Sequence, residues 1–298
     1  MCAVSGGPDS MCMLHALHEL RRPFGIELEV FHFDHRLRSD SGDDATYVEN
    51  AAASLELPFY ARAAADEPAK GESVEDWAHR ARLQALSLAM RDAGASKGAI
   101  AHTQDDQAET VLIAMIRGGG LDAAVGIKPS DGPYVRPLID VRRAEVEAFC
   151  LEMHLQPRRD PSNDDTRLLR NAIRHDVLPA VDKATGRDVT PALSRTASLL
   201  AEDAAELSRQ ATEALAEYVE ETPDGLTLPA TELATLPRAI GSRVVRGAIY
   251  RLGALPEAVH IDAVLDLAAG RPGRKADLAG GLRAERDKGY VRLSRPSP

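Results

Sequence analysis

The first half of the chain switches repeatedly between two hydrophobic periods. Ile26-Glu-Leu-Glu-Val-Phe-His-Phe33 alternates like a strand, with Phe31 and Phe33 on one side and His32 and Asp34 on the other. Residues 44–57 have helical spacing, Pro58 to Arg62 reads as a short strand, and 75–93 as a strong helix. The small apolar run Gly98-Ala-Ile-Ala101 comes next. Residues 105–117 then carry an apolar face at Ala108, Val111, Leu112, Met115 and Ile116. Before all of these, a short apolar run at Cys2-Ala-Val leads into Met11–Leu20, again at helical spacing. Repeated β-α units predict an α/β fold with a parallel sheet covered on both faces, whose ligands gather beyond the carboxyl ends of the strands. From Arg195 the pattern turns helical: one long amphipathic helix over 195–221, then 237–252 and 257–269. Thr185-Gly186 and Thr190-Pro191 break the pattern, which predicts a domain at 1–185 and a smaller, mainly helical one at 186–298.

The junction of the first strand and first helix reads Ser5-Gly6-Gly7-Pro8-Asp9-Ser10. Two glycines let backbone amides approach an anion without a Cβ in the way. Ser10 and the unpaired amides of the first helical turn favour phosphate, and Asp9 can hold the Mg²⁺ that travels with a nucleotide. No Gly-Lys-Ser/Thr occurs, so this is not the commoner phosphate loop. Gly118-Gly-Gly-Leu-Asp-Ala123 fits a dinucleotide fingerprint in letters only, because it follows a helix rather than a strand.

The next chemistry-bearing run is Ala101-His102-Thr-Gln-Asp105-Asp106-Gln-Ala-Glu109-Thr110. His102 is expected at the carboxyl edge of the sheet. Asp106 and Glu109, three apart, share a helix face. Paired carboxylates there call for a cation, either Mg²⁺ or an ammonium group. Arg117 ends this helix and is a candidate for the phosphates. Asp34, with His32 and His35, reads as a nucleotide-contacting strand end rather than a metal site, since no further ligands can be assigned. Arg170 and Arg174 are one turn apart and suit successive phosphates; a salt-bridged surface helix beside Asp164 and Asp165 is the other reading.

Composition adds limits. A net charge of −10 argues against a generally sticky nucleic-acid binder. Yet 271–295 is locally basic while 202–232 is acidic, so the C-terminal segment is a candidate for phosphate-backbone contact. Cys2, Cys12 and Cys150 form no Cys-x-x-Cys pair, which points to a reduced, cytoplasmic protein without a thiolate metal site. No apolar run reaches membrane-spanning length, and no signal peptide precedes the loop. Only three residues separate Met1 from the loop. That predicts either a start lying upstream or a poorly buried first strand.

Taken in order, Ser5–Ser10, Phe33-Asp34-His35-Arg-Leu-Arg38, Ala78-His-Arg80-Ala-Arg82, the run from Ala101 to Thr110 and Ile116-Arg117-Gly-Gly-Gly120 resemble the tRNA(Ile)-lysidine synthetases of the PP-loop ATP pyrophosphatase superfamily. Val135-Arg-Pro-Leu-Ile139, Asp160-Pro-Ser-Asn163 and Leu169-Arg170-Asn171-Ala-Ile-Arg174 extend the likeness to about residue 180. The sequence departs from the family's pattern at Leu83, where an aromatic is common. The resemblance implies a Rossmann-like, PP-loop/adenine nucleotide α-hydrolase-like domain. It also implies adenylation of the wobble cytidine of the CAU-anticodon isoleucine tRNA, release of pyrophosphate, and displacement of AMP by free lysine. By that resemblance Ser5, Gly6, Gly7, Pro8, Asp9 and Ser10 hold ATP and Mg²⁺. Asp106 and Glu109 take the lysine ammonium groups, Arg170, Asn171 and Arg174 face the tRNA, and Asp9, Asp34, His102 and Arg117 serve catalysis. His102 is the candidate base for the lysine amine. The expected protein is a monomer or homodimer with no membrane partner. A tRNA thiolase of the same superfamily is the alternative, disfavoured by the lack of a cysteine pair.

Overall fold

A computed structural model describes residues 1–37, 41–70 and 73–295. Arg38, part of one motif above, lies outside them. The chain divides into two compact units, Met1–Ala201 and Glu202–Pro298.

In chain order the first unit holds β1 (Cys2–Ala3), α1 (Pro8–Phe24), β2 (Val30–Asp34), α2 (Ser41–Ser54), β3 (Phe59–Ala63), α3 (Val74–Ala93) and β4 (Gly98–Ala99). Then come α4 (Gln104–Ile116), α5 (Leu121–Ala124), β5 (Ser130–Asp131), β6 (Tyr134–Val135) and α6 (Arg143–Glu152). The short helix α7 (Leu169–Ala172) runs through a π-turn (Ile173–Val177) into α8 (Leu178–Thr185), and α9 (Thr190–Tyr218) follows. The unit division falls within α9, later than the expected boundary at 185.

The sheet order is β3-β2-β1-β4-β6-β5, parallel except for the β5–β6 hairpin. The chain builds outward from β1 to β3 and then returns to the other side of β1 at β4. The order therefore reverses between β1 and β4, where α/β folds open a ligand crevice. Strand alternation separates two cores. Cys2, Val4 and Val30 pack with Met11, Leu14, Val48 and Val146, while Met1, Phe31 and Phe33 pack with Trp77, Leu86 and Ile100. The sheet is thus covered on both faces, as the sequence pattern implied. Although β1 is only two residues long, it is well covered: Cys2 is 1% exposed and Val4, just beyond the strand, 2%.

The second unit adds what periodicity did not show. Its helices α10 (Ala230–Thr235), α11 (Arg238–Arg251) and α12 (Ala258–Ala269) accompany a five-stranded antiparallel sheet. The strands are β7 (Glu220–Thr222), β8 (Gly225–Pro229), β9 (Lys275–Asp277), β10 (Arg283–Arg286) and β11 (Tyr290–Ser294), in the order β7-β8-β11-β10-β9. Each strand contributes at most two core residues, such as Leu226 and Leu228 or Val291 and Leu293. That is too few alternations to register as a pattern. The basic segment at 271–295 is largely this sheet. Lys275 faces Glu285 across β9–β10 with Nζ and Oε1 2.5 Å apart, and Arg283 Nε lies 2.9 Å from Asp277 Oδ1. Part of its positive charge is therefore matched locally, as cross-strand ion pairs.

Candidate active site

The loop leaving β1 folds because Gly6 adopts φ +92°, a conformation that side chains with a Cβ rarely tolerate. A Cβ there would also lie 3.3 Å from Tyr47 Cδ1. Ser10 Oγ ties the loop together: it donates to the Gly7 carbonyl (3.0 Å), accepts the Ser5 N–H (3.1 Å) and lies 3.2 Å from Ser5 Oγ. Gly7 caps α1 without a side-chain bond, and Pro8 opens the helix, so the first-turn amides remain for a ligand. From β2, His32 Nδ1 lies 2.9 Å from the Val4 carbonyl and braces the strand end. Asp34 Oδ1 accepts the Arg36 N–H at 2.8 Å, closing a local turn at the same sheet edge.

Asp9 stands inside this arrangement. Its Oδ1 is buried and has no hydrogen-bond partner among the described residues. Burial, followed by the charge of Asp106, pushes its carboxyl up to about 6, while Arg143 and Arg174 pull the other way. Asp9 therefore shares one electrostatic field with the acids of α4.

Those acids are fixed at the helix start. Thr103 caps α4 and donates its N–H (2.8 Å) and Oγ1 (2.9 Å) to Asp106 Oδ2, completing a capping box. The remaining oxygen, Oδ1, faces Arg143 Nη2 (3.0 Å), Arg170 Nη2 (3.3 Å) and Arg174 Nη2 (3.4 Å). Glu109 is one turn along. Its Oε1 accepts from Arg143 Nη1 (3.2 Å) and Arg174 Nε (2.7 Å), and its Oε2 from Arg170 Nε (2.9 Å) and Arg174 Nη2 (3.0 Å). Burial alone would raise the Asp106 carboxyl. The Arg170 and Arg143 guanidiniums and the Thr103 amide outweigh it and hold Asp106 below its ordinary value.

Four expected residues are thus placed differently from their sequence reading. Arg170 and Arg174 turn inward onto two carboxylates. The π-turn after α7 carries Arg174, and such insertions recur at functional sites. Asn171 is buried, with Nδ2 donating to the Asp165 carbonyl at 3.0 Å. Arg117 caps the far end of α4, exposed, about 16 Å along the axis from Asp106 at the usual helical rise. The structure does not bring it to the carboxylates.

His102 is also changed in character. Its Nδ1 accepts a hydrogen bond from Arg136 Nε at 3.2 Å. Burial pushes its pKa down to about 3, against the pull of Asp106 and with the repulsion of Arg82, Arg170 and Arg136. A ring so held is a poor proton acceptor at neutral pH, which argues against the role of base.

Arg143 was not read from the sequence. It opens α6 and meets three acids at once, donating its backbone N–H to Asp105 Oδ2 (2.7 Å) besides its bonds to Asp106 and Glu109. Its sequence context, an arginine pair before an amphipathic helix, carries no signal distinct from an ordinary helix start. Arg82, from α3, joins the same field, and burial pushes its guanidinium below its ordinary value. Among the described residues no group of three His, Cys, Asp or Glu is arranged to hold a metal. The three cysteines are buried, and burial raises the thiols of Cys2 and Cys12 to about 11.

Comparison with known proteins identifies the fold and the family. Residues 1–181 match the PP-loop domain, and residues 228–290 match the TilS substrate binding domain. The tRNA(Ile)-lysidine synthase of Caldanaerobacter subterraneus is 33% identical over 92% of this chain and 60% of its own length. That of Solibacter usitatus is 36% identical over 98% and 66%. That of Salinispora arenicola is 36% identical over 100% and 91%. The chain spans about two thirds or less of the first of these relatives. Among solved structures, the U34-tRNA thiolase NcsA of Methanococcus maripaludis shares the fold, with a TM-score of 0.57 over 67% of this chain and 71% of that one at 17% identity. With its PP-loop unit, its substrate-binding unit and relatives of this name along its whole length, the chain belongs to the tRNA(Ile)-lysidine synthase family.

Proposed function

We propose that this chain is a cytoplasmic ligase that joins free lysine to the wobble cytidine of the CAU-anticodon isoleucine tRNA, converting ATP to AMP and pyrophosphate. The observation that carries this reading is the single charged field linking Asp9 of the phosphate loop to Asp106, Glu109 and their three arginines.

The loop amides and Ser5, Gly6, Gly7 and Ser10 hold the triphosphate. Asp9 fits Mg²⁺, because a buried, unpartnered carboxylate oxygen at a phosphate loop is what a nucleotide-bound cation completes. When bound, that ion neutralises charge on the leaving pyrophosphate. Adenylyl transfer otherwise requires positioning and charge neutralisation, which the arginine cluster supplies. An amino acid is a zwitterion, and a cluster of two carboxylates among guanidiniums has partners for both its ends. Asp106 and Glu109 take the ammonium, and a guanidinium takes the carboxylate. The unit matching the TilS substrate binding domain is the natural grip for the RNA.

The thiolase reading gains no support, since the buried, high-pKa cysteines are poor sulfur carriers. The deciding experiment incubates the chain with ATP, Mg²⁺, labelled lysine and total tRNA. Label in the CAU-anticodon isoleucine tRNA alone, with one pyrophosphate released per lysine, is the expected result. Sulfur incorporation, or pyrophosphate release with no label in RNA, overturns the reading.

A further inference from the structure

The bond between Arg136 and His102 fixes more than a ring angle. Arg136 follows β6, where its N–H donates to the Pro129 carbonyl (2.9 Å) and its Nη1 to the Lys128 carbonyl (2.7 Å). The hairpin strap therefore holds the guanidinium in place. His102 leaves β4 in a tight turn, its N–H on the Ile100 carbonyl at 3.0 Å. A guanidinium has donors and no acceptor. Nδ1 of His102, 3.2 Å from Arg136 Nε, must then offer its lone pair, and the ring proton sits on Nε2.

We propose that Arg136 is a positioning residue that holds His102 as a permanently neutral hydrogen-bond donor, presenting Nε2–H to an oxygen acceptor of the bound substrates, a phosphate or carbonyl oxygen. The charged groups acting on the ring are Arg82 from α3, Asp106 from α4, Arg170 from α7 and Arg136 itself. Three of these four oppose protonation, and the bond to Nδ1 closes the site a proton would take. The nature of the acceptor rests on the proposed function. The tautomer does not.

The test is ¹⁵N long-range NMR of the histidine rings in the free chain, with His102→Gln assigning the resonance. The expected wild-type result is an Nε2–H ring that does not titrate between about pH 5 and 8. In Arg136→Met the ring should lose its fixed Nε2–H tautomer and exchange between the two neutral forms, with Arg136→Lys in between. In the lysine-transfer assay, Arg136→Met should lower kcat because the ring spends part of its time as the Nδ1–H tautomer, which offers no donor at Nε2, and Arg136→Lys should restore part of the loss. A wild-type His102 that titrates in this window, or carries its proton on Nδ1, overturns the proposal even if the variants fail to fold. A ring unchanged in Arg136→Met does so as well. The predicted NMR result in a chain that transfers no lysine would leave the pairing intact and refute the function instead.

Discussion

Nε of Arg174 lies 2.7 Å from Oε1 of Glu109, whose side chain is only 1% exposed. An arginine that sequence spacing turns toward RNA is instead the counter-ion of a buried carboxylate. The difference matters because a buried charge left alone is far more costly than a pair is favourable. Arg143, Arg170 and Arg174 together pair both Asp106 and Glu109 in the interior. The site can then exchange one cation for another without ever exposing a naked carboxylate to an apolar surrounding.

Arg143 should therefore be energetically coupled to Glu109. Arg143→Met is expected to destabilise the free chain by about 1–3 kcal/mol, less than removal of a sole partner because two guanidiniums remain. Glu109→Gln should cost less in that background than in the wild type, with a coupling of about 1 kcal/mol or more. Denaturant titration of the four proteins measures it, and strictly additive effects would show that the pair does not act as a unit.

Asp9 should oppose stability in the absence of a cation. Its folded pKa of about 6 lies above its ordinary 3.8. The stabilising contribution of its protonated form is complete below about pH 3.8 and is lost as pH rises through about 6. Asp9→Asn is thus expected to raise the melting temperature of the free chain by a few degrees at pH 8, on the order of 1–3 kcal/mol. It should give no gain near pH 4. The same variant should lose the stabilisation that Mg²⁺-ATP gives the wild type. A variant less stable than wild type at pH 8 would contradict this account.

Gly6→Ala should fail for reasons of backbone rather than of space. The position has φ +92°, and forcing a side chain into it costs about 1–3 kcal/mol. Removing the neighbouring ring with Tyr47→Ala should not restore nucleotide binding, although it clears the 3.3 Å approach. A thermal-shift titration with ATP distinguishes the two causes. Recovery in the double variant would make the constraint steric.

The legible parts of the chain were those whose signal is local. Strand, glycine loop and helix follow one another within Cys2–Phe24, and the expectation of an anion site rested on that order. The helical spacing of residues 105–117 was equally local, and the helix it marks starts at Gln104, behind the capping box of Thr103 and Asp106. The second unit's sheet was not legible, because Leu226, Leu228, Ala284, Val291 and Leu293 form a core only once distant short strands are paired. Arg143 was hidden for a related reason. Its partners lie 34 and 37 positions away, beyond any periodicity.

The sequence by itself determined the parallel α/β unit, the phosphate loop and the family, because each rests on contacts or motifs within a few turns of chain. Only the tertiary structure decided which charges meet. It turned Arg170 and Arg174 inward, left Arg117 at the far end of its helix, and set Arg136 against His102. A charged side chain's role depends on the dielectric and partners around it, and folding alone supplies both.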